Sequence, residues 1–545
     1  MAESVAKRGG PTRVHEHGMW RLASMLFDPI ENAHVDEAAS RKEAVSKFWE
    51  QLVLPDLERS TKEIQSRARF DSEEAALTAL TGHDYWGAVH ALHYGKNFRL
   101  ATLIAQIGED AAGGDAQRIA IKQQIDAWRK ANMLSDMLPV SRALYELLAG
   151  NTCTAIGHSG PGAENRAKNF NISAHFSIDW RRVFGLKLWY GISGSDPLFL
   201  AVERYIRDIE TTQETVLPVP WFREQSVDTG WQDPRPSQRQ DILLGLLRLY
   251  ALAHEEEGGY FHQNVHLADI ISPQNVSGNP VDSRLSFQLY QSLRSHGLAD
   301  LSNADEEDVA SKSDMLTTDF AFELSASPKT LVLAVFVTLH LTDSISREAA
   351  LKALLDRQAG AIGASVQTCP VFGALVNDLH IPEPWIWHAK ALHAKAALND
   401  EAEQCRCLLQ AGDLEQAIAV LRDSVAPRCI VEETKVALAE LLEDFEAAGA
   451  GKVAAWRQSG ALYRAYLRLM QITDKGGDAE EAVGLGKVVR TDTAALLGSG
   501  ILLVRAAAEE MRDEVEQAML ALRRRRHNKE VSLLRSMRRG VAGEC

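Results

Sequence analysis

A chain of 545 residues, 46% hydrophobic and 24% charged, has the composition of a folded protein, and its length exceeds the size at which one compact core keeps growing. Long disorder is thereby excluded, and either several domains or a stack of helices is expected. With 59 basic and 74 acidic residues the formal charge is −15, which disfavours direct contact with nucleic acid or with anionic lipid.

Residues 1–19 carry no apolar run behind their lysine and arginine, so no signal peptide is expected, the sequons at Asn171 and Asn275 are without consequence, and the thiols belong in a reducing compartment. The stretch also lacks the alternation of a β-hairpin. From Asp84, the residues Tyr85, Ala88, Val89 and Leu92 form a helical stripe that stops at Gly95. Asn97 then starts a second helix with Leu100, Leu103, Ile104 and Ile107 inside. His83 beside Asp84 has the look of a metal-hydrolase pair, but Asp84 suits the cap of the helix opening at Tyr85. Breaks are expected at 108–114, at 157–162, at 211–238 with its prolines, and at the acidic stretch 300–314. Between them lie helical segments, with scarcely any strand pattern.

His262 and His266 would share a helix face, yet no H-E-x-x-H pattern or third ligand accompanies them, and they read as surface or capping histidines. The apolar run 331–337 reads as a buried helix and is far too short to cross a bilayer. Past the prolines at 382 and 384, Trp385, Ala389, Leu392 and Ala396 recur at helical spacing. After Leu409 the helix stops at Gly412, and Asp413 caps the next one. That helix presents Leu414, Ala417, Ile418, Leu421 and Val425 as one stripe ending before Pro427. This is an αα-hairpin, the second of its kind, and it predicts helix stacking without a fixed repeat period. Further weak points are 447–451 and 474–478. The basic run Arg523, Arg524, Arg525 and Arg526, followed by Lys529, reads as a solvated helix face. Cys153, Cys369, Cys405, Cys407, Cys429 and Cys545 form no C-x-x-C pair, so neither zinc site nor disulfide framework is indicated. No phosphate loop, dinucleotide turn or nucleophile elbow is present, and no catalytic, cofactor or metal site is expected.

Several segments together resemble one family. They are LTGHDYWGAVHALHYGKNFRLATLIAQIG (80–108), IDWRRVFGLKLWY (178–190), DILLGLLRLYA (241–251), LADIISPQNVSGNPVDSRLSFQLYQSL (267–293), LHIPEPWIWHAKALHA and LLQAGDLEQAIAVLRDSVAP. In this order they resemble the scaffold nucleoporins typified by fungal nucleoporin 145C and animal nucleoporin 96, across about residues 20–469. The resemblance implies an all-α, irregular and elongated α-solenoid with a U-turn: ascending trunk 20–141, crown 142–301, returning trunk 302–450 and tail helices 451–545. It implies a structural subunit of the Y-shaped coat of the nuclear pore, in the nucleus, without catalysis. The implied partners are a Sec-thirteen-type β-propeller, an 84/107-type nucleoporin at the crown, and 85-type and 120/160-type nucleoporins at the tail. The propeller-completing blade of the family is not recognisable in residues 1–19. Trp189, Tyr190, Leu289 and Tyr290, on matched crown segments, are the expected partner-binding anchors. The other readings are an outer vesicle-coat subunit of related architecture and, remotely, a metal-dependent hydrolase using His83, Asp84, His262 and His266.

Overall fold

The computed structural model describes residues 11–30, 37–109, 114–160, 162, 165–211, 213–255, 261, 267–298, 306–363, 369–475 and 477–541. Among them the protein is all-α, as expected. The only paired strands among the described residues are two-residue segments, β1 (Thr154–Ala155) antiparallel to β2 (Phe170–Asn171) with Thr154 opposite Asn171. The chain divides into two compact units, Met1–Glu323 and Leu324–Cys545.

The first unit opens with α1 (Pro11–Phe27), so residues 11–19, expected as part of a tail, already lie in a helix. The glycine-proline step before it supplies a first residue that needs no N–H partner. Then come α2 (Glu37–Ser66), α3 (Ser72–Leu80), α4 (Tyr85–Tyr94) and α5 (Phe98–Glu109). Each short helix starts where the sequence places a cap. The Asp71 carboxylate accepts from the Glu73 and Glu74 amides at 3.0 and 3.1 Å, and that of Asp84 accepts from Gly87 at 2.8 Å. Asn97 accepts from the Leu100 amide at 3.3 Å, and its side-chain nitrogen donates to Glu73 at 2.9 Å. The turn between α4 and α5 is built differently from the expected glycine stop. Its left-handed residue is Lys96, with φ 63°, whereas Gly95 has an ordinary φ of −75°. Gly95 is there for contact: a Cβ on it would fall 1.9 Å from the Ser72 hydroxyl oxygen at the start of α3.

The unit continues with α6 (Gly114–Lys130), α7 (Pro139–Leu148), α8 (Trp180–Leu186), α9 (Leu198–Glu210), α10 (Ile242–His254), α11 (Arg284–Ser295) and α12 (Glu306–Leu324). A wide π turn, Lys187–Gly191, extends α8. Residues 306–314, expected to be a break, form the first turns of α12. Glu306, Glu307 and Asp308 of the acidic stretch are the first three residues of that helix. The core of this unit gathers around Trp49, whose ring lies edge-on to Phe184 at 4.7 Å and to Trp180 at 6.1 Å, and whose indole N–H donates to the Arg181 carbonyl at 2.7 Å.

The second unit contains α13 (Leu331–Thr338), which settles the run 331–337 as a helix, then α14 (Ser344–Gln358), α15 (Glu383–His393), α16 (Glu401–Ala411) and α17 (Leu414–Val420). After these come α18 (Lys435–Ala447), α19 (Gly460–Lys475), α20 (Ala479–Leu496) and α21 (Leu502–Val541). Of the expected stripe on α15, Ala389 is inside, while Leu392 and Ala396 face out; Ile386 and Ala391, with Ala394 just past the helix, complete the buried face. Trp385 is half-buried and carries the Lys352 ammonium over its ring at 4.8 Å. Helical structure does not end before Pro427 either. The π turn Leu421–Val425 leads into a further helical turn, Ala426–Val431, and its looser hydrogen bonding accommodates a residue without an N–H.

The α16–α17 hairpin forms as read. Gly412 takes φ 80° and ψ 8°, its amide donating to the Leu409 carbonyl at 3.0 Å, and Asp413 accepts from Gln416 at 3.1 Å. A Cβ at Gly412 would meet no atom within 4 Å, so only backbone strain opposes a side chain there. Gly412→Val is therefore expected to destabilise the second unit by about 1–2 kcal/mol, read as a lowered thermal midpoint.

Candidate partner-binding surfaces

The four expected anchors are core residues. Trp189 is 9% exposed, Tyr190 1%, Leu289 0% and Tyr290 3%. The Trp189 indole N–H donates to the Ser46 hydroxyl on α2 at 2.9 Å, and its ring stacks on His83 at 4.8 Å with an 8° interplanar angle. The Tyr190 hydroxyl donates to the Leu80 carbonyl at the end of α3, 3.2 Å away. These side chains fasten the end of α8 to α2 and α3, and Leu289 and Tyr290 turn inward from α11. A residue so enclosed cannot touch a partner while the unit stays folded. Their assignment as anchors is corrected accordingly.

The same packing accounts for His83. Its Nδ1 lies 2.5 Å from a Glu50 carboxylate oxygen and its Nε2 3.1 Å from the Tyr85 hydroxyl, and burial lowers its pKa against the opposing pull of Glu50. Asp84 is occupied as the α4 cap. The two residues thus serve the α3–α4 turn, while His262 and His266 lie outside the described residues. Among the described residues no group of three or more His, Cys, Asp or Glu side chains is arranged to hold a metal. Burial also pushes the thiols of Cys153 and Cys405 up to about 12 and that of Cys407 up to about 11, which keeps them protonated at neutral pH and poor as nucleophiles or ligands.

Aromatic surface does appear elsewhere, on the face of α4 opposite its buried stripe. Ala88 and Leu92 point inward; Trp86 and Tyr94 point out, 71% and 76% exposed. Tyr94 packs edge-on to Phe70 at 5.5 Å, and between α2, α3 and α4 lies a groove of about 330 Å³ walled by Leu57, Ile64, Phe70, Ala91 and Tyr94. Next to it Phe98, 55% exposed, leans on His93 at 5.3 Å. Contiguous apolar surface of this kind marks sites of association. Its signal was in the sequence: once Ala88 and Leu92 are taken as the inner stripe, Trp86, His90 and Tyr94 fall at i, i+4 and i+8 on the outer face.

A second packed cluster involves α1. His15 stacks on Trp221 at 4.9 Å and 9°, and Glu16, buried, pairs with Arg284 on α11 at 2.9 Å. Burial lowers the His15 pKa; the charges of Asp241 and Glu16 oppose this and that of Arg181 assists it. The folded state therefore holds His15 neutral while the unfolded chain titrates near 6.5, so stability is complete above about 6.5 and is lost as pH falls below it. Acidification from about pH 7 to 5.5 is expected to lower the melting temperature of the wild type more than that of His15→Phe, which keeps a ring against Trp221 but has no proton to gain.

Taken together, the helical architecture, the capped hairpins and the exposed apolar helix faces define an irregular all-α protein. The profile of the Nuclear protein 96 family matches residues 74–393. The chain belongs to that family. It is 29% identical to Nucleoporin nup189 of Schizosaccharomyces pombe over 84% of its own length and 24% of that protein's. Against Nucleoporin NUP145 of Chaetomium thermophilum the identity is 29% over 84% of this chain and 21% of the other. With the Nuclear pore complex protein Nup98-Nup96 of Dictyostelium discoideum the figures are 24%, 83% and 21%. The chain thus spans less than a quarter of the length of these relatives. Among the described residues no helix is long and apolar enough to cross a membrane.

Proposed function

We propose that this chain is a structural scaffold subunit of the nuclear pore complex, part of its Y-shaped coat, which holds other nucleoporins in place and turns over no substrate. The family match over residues 74–393 carries the reading. It is supported by the engagement of Asp84 as a helix cap, of His83 with Glu50 and of Glu16 with Arg284. The trunk, crown and tail partition and the U-turn belong to the proposal, as do the partners: a Sec-thirteen-type propeller on the trunk, an 84/107-type nucleoporin at the crown, and 85-type and 120/160-type nucleoporins at the tail. The Trp86, Tyr94 and Phe70 face on α4 and its neighbours is the surface we assign to the trunk partner, because aromatic side chains dominate the energetics of such interfaces. The vesicle-coat reading has no observation in its favour; the relatives named above are all nuclear pore proteins.

Fluorescent tagging of the chromosomal copy tests the reading: a punctate nuclear rim is expected, and an exclusively cytoplasmic vesicle pattern would contradict it. The double substitution Trp86→Ala with Tyr94→Ala is expected to weaken one partner at least tenfold in pull-down titration while shifting the melting temperature by no more than a surface change does. Retention of every partner at wild-type strength would remove the α4 face from the proposal.

A further inference from the structure

The basic run near the C-terminus has a structural setting that a solvated helix face does not explain. Where α19, α20 and α21 come together, a groove of about 1,240 Å³ opens alongside the second half of α21. Its volume exceeds the roughly 300–1,000 Å³ of clefts built for small molecules. The floor is apolar, made by Ile472, Val483, Met519 and Leu522. One wall is cationic. Arg523, Arg526 and Lys529 line it, and Lys487 reaches in from α20. Arg526 is matched by Glu530 at 3.5 Å and Arg525 donates to the Thr473 carbonyl at 2.7 Å, whereas Arg523, Lys529 and Lys487 have no ion-pair partner among the described residues. Glu480 and Glu530 also line the groove and supply the opposing charge. The other wall is low, because Ala479 and Gly484 present almost no side chain, and a Cβ at Gly484 would meet nothing within 4 Å. In a chain of net charge −15, a positively charged trough with a greasy floor and a small-residue wall is a specific arrangement.

We propose that this groove receives an acidic amphipathic helix of a partner protein, its apolar face on Ile472, Val483, Met519 and Leu522 and its carboxylates against Arg523, Arg526, Lys529 and Lys487. A helix about 10–12 Å across needs the close backbone approach that Ala479 and Gly484 allow. Charge complementarity selects the acidic partner. Nucleic acid would call for aromatic platforms beside the cations, and none lines the groove. A bilayer surface could not reach apolar groups on a concave floor. The inference deepens the scaffold reading by giving the chemistry of one tail partner.

The test uses the full chain and a fluorescein-labelled 14-residue peptide with Glu and Leu at helical spacing, followed by fluorescence anisotropy. A Lys and Leu peptide of the same pattern, a poly-uridylate RNA and phosphatidylserine vesicles serve as competing probes. The Glu peptide is expected to bind, to weaken as salt is raised, and to lose at least tenfold in affinity both in Gly484→Phe, whose Cβ meets no atom within 4 Å and whose ring occupies the groove, and in the pair Arg523→Glu with Arg526→Glu. Thermal melts of both variants should match the wild type, so that a loss reports the groove. No binding of the Glu peptide, equal binding of the Lys peptide, indifference to Gly484→Phe, or displacement of the peptide by RNA or vesicles would overturn the assignment. Failure here with the tagged chain still at the nuclear rim defeats the groove alone; peptide binding with the tagged chain absent from the rim defeats the scaffold reading alone.

Discussion

Replacing Trp189 and Tyr190 together by alanine is expected to unfold the first unit at physiological temperature. Each truncation of a buried aromatic costs about 3–5 kcal/mol, and a domain has about 5–15 kcal/mol in total. The two residues are neighbours in one cluster, so the losses will not simply add. Even the lower end leaves little margin, because the indole N–H bond to Ser46, the stack on His83 and the hydroxyl bond to the Leu80 carbonyl all go as well. Ser46 and the Leu80 carbonyl would each lose one partner, keeping only the Glu50 carboxylate at 3.4 Å and the His83 amide at 3.1 Å. Differential scanning calorimetry together with circular dichroism reads the outcome. A native melting profile would mean that these rings do not hold α8 to α2 and α3, and would reopen their role as partner anchors.

Gly278→Val is the second large effect, at about 2–5 kcal/mol. The segment SPQNVSGNPVDSRLSF folds as a short helix, Pro273–Val276, closed by a tight turn. In that turn the Gly278 amide donates to the Pro273 carbonyl at 3.1 Å and Gly278 takes φ 78°. Asn279 then donates to the Thr229 carbonyl at 3.0 Å, which ties this loop to the one before α10. A side chain at 278 meets two penalties. The left-handed backbone costs about 1–2 kcal/mol, and a Cβ would stand 2.7 Å from the buried Phe222 ring and 2.8 Å from the Thr229 methyl, an overpacking of about 1–3 kcal/mol. Gly278→Ala isolates the smallest form of the same clash and should fall between wild type and valine in a denaturant titration. If valine is tolerated within about 0.5 kcal/mol, the two loops are not in contact as described.

Legibility in the sequence followed the range of the interaction. Caps and turns are local, and Asp84, Asp413 and Gly412 were readable because the residue type and its neighbours within four positions decide them. The helix at 331–338 was readable from run length and flanks. What depended on distant partners was not. Gly95 answers to Ser72, Trp189 to Ser46 and His83, and Tyr190 to Leu80, none of which a local window connects. An aromatic residue on a helix is equally consistent with core and interface until its neighbours are known, which is why Trp189 and Tyr190 were assigned outward. Trp86 and Tyr94 could have been found, since the phase of α4 was already fixed by Ala88 and Leu92. Pro427 and the acids at 306–308 misled for a related reason: both are rules about helix ends, and the chain used them inside a π-turned helix and at a helix start.

The central claim is that this chain is a structural component of the nuclear pore coat, and its most direct test is affinity purification of the chromosomally tagged protein followed by quantitative mass spectrometry. The account predicts co-purification, near one-to-one, of a six-bladed propeller protein and of the 84/107-, 85- and 120/160-type nucleoporins. Recovery of vesicle-coat subunits in their place, or of the chain without any nucleoporin, would contradict it.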